Sequence, residues 1–472
     1  MIDILFVNPP SPDGSIIIRD NNRSGRTSRE RIIWPQTSLA YMAAMAPKNF
    51  KVEILDCIAE KIKWSEFKSI IKKKKPRYVV GHVITSLASN DFKTFSIAKR
   101  YAGSITCSMG PHVTELTKES FEACPSLDYI IREEPEITFK EMIDAIENKK
   151  SLKKVAGLAF RESRKIIINK ERGYIKDLDT LPIPRHDLLP LKQYVYPFIA
   201  DKFTFIVPNR GCPFPCTFCR QPIMWKYTVR SRSAESIMKE LRFLKSIGIN
   251  QFVTLCDTFT IKKKVVIELC KKIVDERLKI KWACNSRVDT IDEEMVYWMK
   301  KAGCWMIALG IESGSQKILD NVKKEIKVEQ SIKTAKIIAK AGIKVYGYFI
   351  IGLPGETHET VNQTIRLANS LPLTFAIFHV AAPYPGTNFY KEAKEKGWLA
   401  SSRWENVDQG RSTSISYPGM PSKRILKEIT RCYLRFYFRP RQIIKVIGAV
   451  TNPRDIMHLF RLAIDNLMWR KR

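Results

Sequence analysis

The stretch NRGCPFPCTFCRQP, residues 209–222, holds Cys212, Cys216 and Cys219 in a C-x3-C-x2-C spacing. Three thiolates this close can hold three irons of a 4Fe–4S cluster, because soft sulfur ligands suit iron–sulfur chemistry. The fourth iron then lacks a protein ligand and is open to a substrate or cofactor. Gly211, Pro213 and Pro215 keep the segment out of helix and strand, so it reads as a loop that wraps something. The plainer reading, three unrelated buried cysteines, needs an apolar face that a loop rich in Pro and Gly does not offer. A zinc site would want a fourth ligand nearby, and no Cys or His follows until Cys256.

Outward from this loop the chain alternates apolar runs with amphipathic ones. Strands are predicted at 203–207, 251–255, 282–285, 305–310, 344–351 and 374–381, with helices at 234–247, 264–276, 293–302, 328–341 and 360–370. Six strand–helix units make a partial barrel, whose active site belongs at the carboxyl ends of the strands. Asp257, Arg287, Glu312 and the Gly352–Gly355 turn fall at those ends. Tyr346, Tyr348 and Tyr384 either line a cavity there or pack the barrel. Cys256 and Cys284 also lie near strand ends, whereas Cys270 and Cys304 read as core.

The N-terminal third alternates in the same way. Residues 2–7 (IDILFV) form a buried strand stopped by Asn8-Pro9-Pro10. Further strands are predicted at 52–55, 78–83, 104–108 and 128–131, separated by helices, which argues for a doubly wound parallel sheet. Ligands on such sheets bind at the strands' carboxyl ends, where Asn8, Asp56, Thr85-Ser86, Gly110-Pro111-His112 and Glu133 stand. Residues 158–160 and 165–169 suggest a hairpin, and DLDTLPIPRHDLL (177–189) a stiff connector. The expected organisation is 1–150, a hairpin and linker over 151–195, a barrel over 196–395, and a basic helical region over 396–472.

The cysteine spacing, with Phe218 before the third cysteine, resembles the radical SAM superfamily. The resemblance implies that the open iron chelates S-adenosylmethionine and that reductive cleavage yields a 5′-deoxyadenosyl radical. It also implies that Asp257 meets the methionine ammonium, Arg287 its carboxylate and Glu312 the ribose hydroxyls, with the Gly352 turn against the adenine. NPP, ILD, the Thr-Ser turn, GPH and EEPE at successive strand ends resemble the cobalamin-binding domain of one radical SAM subgroup. Cobalamin would then lie against Thr85, Ser86, Gly110, Pro111 and His112. Two features depart from that pattern: Met109 stands where the subgroup usually has a glycine, and there is no D-x-H-x-x-G. His82 and His112 also read as ordinary loop or core histidines.

The chain has 472 residues, 80 Lys+Arg against 48 Asp+Glu, and a net charge of +32. Such an excess points to an anionic partner or to a lysine-rich solvated surface. Eleven cysteines without a secretory signal argue for a reducing cytoplasm rather than a disulfide scaffold. No apolar run is long enough to span a membrane. In the last fifty residues Arg431, Arg435, Arg439, Arg441, Lys445, Arg454 and Arg461 interleave with Tyr433, Phe436, Tyr437, Phe438, Phe460 and Trp469. That pattern reads as a helical cap on the barrel or as an interfacial helix giving peripheral membrane contact. A nucleic-acid patch is disfavoured, since no recognised RNA-binding motif accompanies it.

The reading is a radical SAM enzyme, most simply a cobalamin-dependent methyltransferase acting on an unactivated carbon of a small-molecule or lipid-like substrate. It would need an external electron donor of flavodoxin or ferredoxin type. Oxidative cyclisation without methyl transfer is the first alternative. A methylthiotransferase acting on RNA is the second, and would need Cys57, Cys107 and Cys124 as further ligands.

Overall fold

The structure is a computed structural model that describes residues 2–20, 25–28, 31–163, 165–196, 198–199, 201–401 and 413–448. Arg454, Phe460, Arg461 and Trp469 of the basic C-terminal pattern lie outside the described residues. Contacts resolve the chain into two compact units, the first containing Ile32–Val195, the second Tyr196–Pro222 and the chain from Lys226 on.

The first unit is built on strands β1 (Ile4–Asn8), β2 (Val52–Asp56), β3 (Tyr78–His82), β4 (Ile105–Met109), β5 (Tyr129–Ile131), β6 (Leu158–Glu162) and β7 (Lys165–Ile168). Their order in the sheet is β2-β1-β3-β4-β5-β6-β7. The first five are parallel, and the order reverses between β1 and β3. Such a reversal opens a crevice at the carboxyl ends of those strands. Every residue of β1 and β3 is buried, which is what a parallel strand covered on both faces requires. The helix Trp64–Lys74 presents Phe67 and Ile71, one turn apart, to this core.

The hairpin expected in the connector is instead part of this sheet. β6 pairs antiparallel with β5, setting Phe160 opposite Tyr129 and Leu158 opposite Ile131, and β7 closes the edge. The short β5 would otherwise leave an open edge beside buried Ile130 and Ile131, and Leu158, Ala159 and Phe160 cover it.

The second unit holds β8 (Phe203–Ile206), β9 (Gln251–Thr254), β10 (Lys281–Ser286), β11 (Cys304–Glu312), β12 (Lys344–Ile351) and β13 (Phe375–Val380). They form one parallel sheet in sequential order. Same-handed crossovers in one direction put the helices on one face and curl the sheet into a partial barrel. Ser233, Asp292 and Thr357 cap the helices Ala234–Ser246, Glu293–Lys301 and His358–Ser370, their side chains accepting from Ser236, Met295 and Thr360 amides.

The helix Ser422–Tyr437 packs its aromatic residues on the barrel. The Tyr437 hydroxyl accepts from the Ala376 amide (3.0 Å) and donates to the Ala376 carbonyl (2.8 Å), and the Tyr433 hydroxyl accepts from the Phe378 amide (3.2 Å). Two tyrosines thus satisfy backbone groups along β13, the last strand of the sheet.

Candidate active site

The cysteine loop leaves β8 and returns to the barrel through three backbone anchors. The Gly211 amide donates to Asp257 Oδ2 (2.9 Å), the Thr217 amide to the Val322 carbonyl (3.0 Å), and the Phe389 amide to the Thr217 carbonyl (3.0 Å). Asp257 therefore reaches the loop from the end of β9. Within the loop the Cys219 amide donates to the Cys216 carbonyl (3.1 Å). Cys216 is 8% exposed, Cys212, Phe218 and Cys219 are half-buried, and none of the eleven cysteines is in a disulfide. Burial pushes all three thiols above their ordinary range, opposed at Cys216 by the charges of Lys324 and Arg287. Filling this loop with a soft metal centre would expel those protons and restore thiolates. Among the described residues no three Cys, His, Asp or Glu side chains close on a single metal position. A four-iron cube, which binds each thiolate through a separate iron, asks for no such convergence.

Arg287, just past β10, is held on every side. Its Nε and Nη2 form a fork onto Asp289 (2.9 Å each), Nη2 also donates to the Lys324 carbonyl (2.8 Å), and Nη1 faces the Cys216 sulfur at 3.8 Å. Its guanidinium lies 3.5 Å from the centre of the Phe214 ring. Burial works against its charge, but Asp289 outweighs burial and leaves the guanidinium more basic than usual.

Glu312 closes β11 in an unusual backbone state. The pairing with β12 slips between Gly310 and Glu312, and Glu312 has φ +63° while only 7% exposed. A buried glutamate in the left-handed region is strained, and such strain persists only where surrounding contacts hold it. Here Lys324 Nζ donates to Glu312 Oε1 at 2.6 Å. A Cβ on Gly310 would stand 2.8 Å from that oxygen and 3.1 Å from the lysine nitrogen, so any larger residue would make the pair shift. Burial opposes the Lys324 charge and Glu312 outweighs it, raising the lysine. The sequence does not single out Lys324. It sits in the run VKKEIK beside other lysines, and nothing local marks which of them turns inward.

Gly352 opens the turn after β12. Its amide donates to Glu356 Oε2 (3.3 Å) and its carbonyl accepts from the Tyr417 hydroxyl (2.9 Å). Glu356 is buried, and burial pushes its carboxyl up to about 7. Tyr346 and Tyr348 pack together at 5.1 Å between ring centres. Cys256 and Cys284 are buried, as are Cys270 and Cys304.

In the first unit the strand ends fall into two sets. Asn8 Nδ2 donates to Asp56 Oδ1 (2.6 Å), and Arg19 Nη1 donates to Asn8 Oδ1 (3.2 Å) and the Pro9 carbonyl (2.9 Å). Arg19 also pairs with Asp91 at 2.7 Å, both side chains fully buried. This network locks the turn after β1. At the ends of β3 and β4, by contrast, both ring nitrogens of His82 and the hydroxyls of Ser86 and Ser108 are buried without hydrogen-bond partners among the described residues. Thr85 and Ser86 form a buried turn, Met109 is fully buried, and Pro111 and His112 begin a short helix. Gly110 caps that helix with φ +119°, a backbone state reserved for glycine. Cys57, Cys107 and Cys124 are each buried at separate places, with Cys107 against Met142 Sδ (4.0 Å) and Cys124 against the Phe92 carbonyl (3.8 Å).

Residues 206–368 match the Radical SAM superfamily. An uncharacterized methyltransferase of Pyrococcus horikoshii is 36% identical over 452 residues, 95% of each chain. The anaerobic magnesium-protoporphyrin IX monomethyl ester cyclase of Cereibacter sphaeroides is 27% identical over 421 residues, 86% of this chain and 67% of the cyclase. Among solved structures, the radical S-adenosylmethionine methyltransferase TsrM from Kitasatospora setae, with cobalamin and a 4Fe–4S cluster bound, superposes with a TM-score of 0.70. It shares 15% identity and the match covers 92% of this chain and 91% of TsrM. The cobalamin-dependent S-adenosylmethionine radical enzyme OxsB gives a TM-score of 0.73 at 17% identity, over 99% of this chain and 72% of OxsB. At those identities the two structures establish the shared fold.

Proposed function

The chain belongs to the radical SAM superfamily, and from that premise we propose that it is a cobalamin-dependent methyltransferase acting on an unactivated carbon. The observation that carries this reading is the pairing of two sites in one chain: the anchored cysteine loop, and a doubly wound sheet with unpartnered buried polar atoms at its strand ends. When bound, the cluster and S-adenosylmethionine supply a 5′-deoxyadenosyl radical for hydrogen abstraction, and cobalamin supplies the methyl group.

The protein's own residues bind and orient these groups. Cys212, Cys216 and Cys219 hold the cluster. Asp257 takes the methionine ammonium, a charge-assisted contact. The methionine carboxylate meets Arg287 Nη1, the end of the guanidinium that Asp289 leaves available, with Lys324 as a second cation beside it. Glu312 Oε2 takes no hydrogen bond among the described residues and serves the ribose hydroxyls, while Lys324 fixes Oε1. The turn at Gly352 meets the adenine. Thr85, Ser86, Gly110, Pro111 and His112 line the cobalamin site, where the orphaned Ser86 hydroxyl finds an acceptor or donor.

The substrate is a small organic molecule, and a lipid-like one agrees with the C-terminal helix Pro440–Ile447. That helix exposes Ile443, Ile444 and Ile447 next to Arg441 and Lys445, the composition of a surface that rests on anionic lipid. Among the described residues no helix is long and apolar enough to cross a membrane.

Incubation of the reconstituted protein with S-adenosylmethionine, reductant, cobalamin and a candidate substrate tests the reading. Methyl transfer yields 5′-deoxyadenosine and S-adenosylhomocysteine together. The relationship to the cyclase favours one alternative, oxidative ring formation, and turnover with deoxyadenosine as the sole nucleoside product would establish that instead.

A further inference from the structure

Arg220 follows the last cluster cysteine and is 9% exposed. Three other buried cations of this unit have carboxylate partners: Arg287 has Asp289, Lys324 has Glu312, and Arg232 has Glu240. Arg220 has none among the described residues, and no hydrogen bond from its guanidinium is formed there either. Its one contact of note is with Tyr384, whose ring centre lies 4.9 Å away. Tyr384 is 2% exposed and stands in the turn after β13, with its carbonyl accepting from the Thr387 amide (3.1 Å) and hydroxyl (2.7 Å). The ring face offers the guanidinium a cation–π contact but no carboxylate.

A buried, unpaired guanidinium is costly unless something completes it. Its fork of donors matches the two oxygens of a carboxylate or phosphate. Its position adds a further constraint, since it adjoins Cys219 at one end and the turn after the last barrel strand at the other. We infer that Arg220, oriented by Tyr384, binds an anionic oxygen group of the substrate, a carboxylate or a phosphate, and so holds the reacting molecule beside the cluster. The inference rests on the active-site reading above and adds to it the substrate's charge.

The test uses the full chain, purified without oxygen and reconstituted with iron and sulfide. It is titrated separately with acetate and inorganic phosphate against chloride at constant ionic strength, reading the melting temperature and the resonance of the reduced cluster. One of the two anions should raise the melting temperature and shift the resonance, with half-saturation in roughly the millimolar range. The arm that responds identifies carboxylate or phosphate. In Arg220→Met that response should weaken by about tenfold or more with iron content unchanged. If Arg220→Met fails to fold, Arg220→Lys should show a similar weakening, because the fork is lost while the charge remains. An equal response in wild type and variants, no response in wild type, or a changed reduction potential in Arg220→Met without any anion dependence would overturn the inference. Absence of iron in wild type would instead strike the active-site reading, and the melting-temperature arm would still report on Arg220.

Discussion

In the second unit six strands follow one another in sequence order, and their carboxyl ends carry Asp257, Arg287, Glu312 and Gly352, of which Asp257 and Arg287 touch the cysteine loop. In the first unit the order reverses between β1 and β3, and the strand-end residues divide. Asn8, Asp56, Arg19 and Asp91 bond to one another, with Asp56 Oδ2 left over, while His82, Ser86 and Ser108 have no side-chain hydrogen-bond partner among the described residues. Both units therefore bury charge at strand ends, but to different effect. The Arg19–Asp91 pair pins a turn, whereas the Lys324–Glu312 pair orients a carboxylate whose other oxygen has no hydrogen-bond partner among the described residues. On the proposed reading a buried ion pair is a structural strut in one sheet and a positioning device in the other.

The largest effect that bears on this contrast is loss of the loop's metal centre. Cys219→Ala should lower iron from about four per chain to near background and abolish deoxyadenosine formation, while the first unit's secondary structure, followed by circular dichroism, persists. Next come the two ion pairs. Arg19→Met and Lys324→Met each leave a buried carboxylate uncompensated and should each cost about 3–5 kcal/mol in denaturant unfolding. Calorimetric titration should show S-adenosylmethionine affinity falling about tenfold or more in Lys324→Met alone. Equal losses of affinity in both variants would erase the distinction between strut and positioning device.

A smaller effect depends on pH. Burial raises Glu356 from an ordinary 4.5 to about 7. A carboxyl with a raised folded-state value contributes stability that is complete below about 4.5 and disappears as pH climbs through about 7. The contribution is of the order of 3 kcal/mol. Glu356→Gln, which mimics the protonated form, should therefore melt progressively higher than wild type as pH goes from 5 to 8. A difference independent of pH would show that the carboxylate is stabilised by its neighbours instead. Smallest is Tyr437→Phe, which removes a hydroxyl serving both Ala376 backbone groups and should cost about 1 kcal/mol in the second unit only.

What could be read from the sequence follows from where the signal lies. The parallel strands of both sheets are legible because buried strands are apolar runs and the stops between them are rich in Pro, Gly and Asn. The cysteine loop was legible because its ligands are adjacent along the chain. Lys324 and Arg19 were not, since each is one basic residue among several and only the folded turn decides which one is buried. The alternation over residues 158–168 says strand, and nothing in it says which sheet those strands join. The aromatic C-terminal stretch admitted two readings, and the structure divides it. Tyr433, Phe436 and Tyr437 belong to the barrel, while Phe438, Ile443, Ile444 and Ile447 are exposed.

The tyrosines on β13 also bear on how the barrel can be cut. A partial barrel has two open flanks, and a bare outer strand is a template for another chain. Hydroxyls 55 to 61 residues downstream close that template here. A fragment ending soon after residue 368, where the superfamily match stops, would lose the last strand and its cover together. The strand then left outermost, β12, would offer eight residues of unprotected backbone to its neighbours. Such a fragment should precipitate through intermolecular strand pairing, whereas one that retains Ser422–Tyr437 should stay in solution.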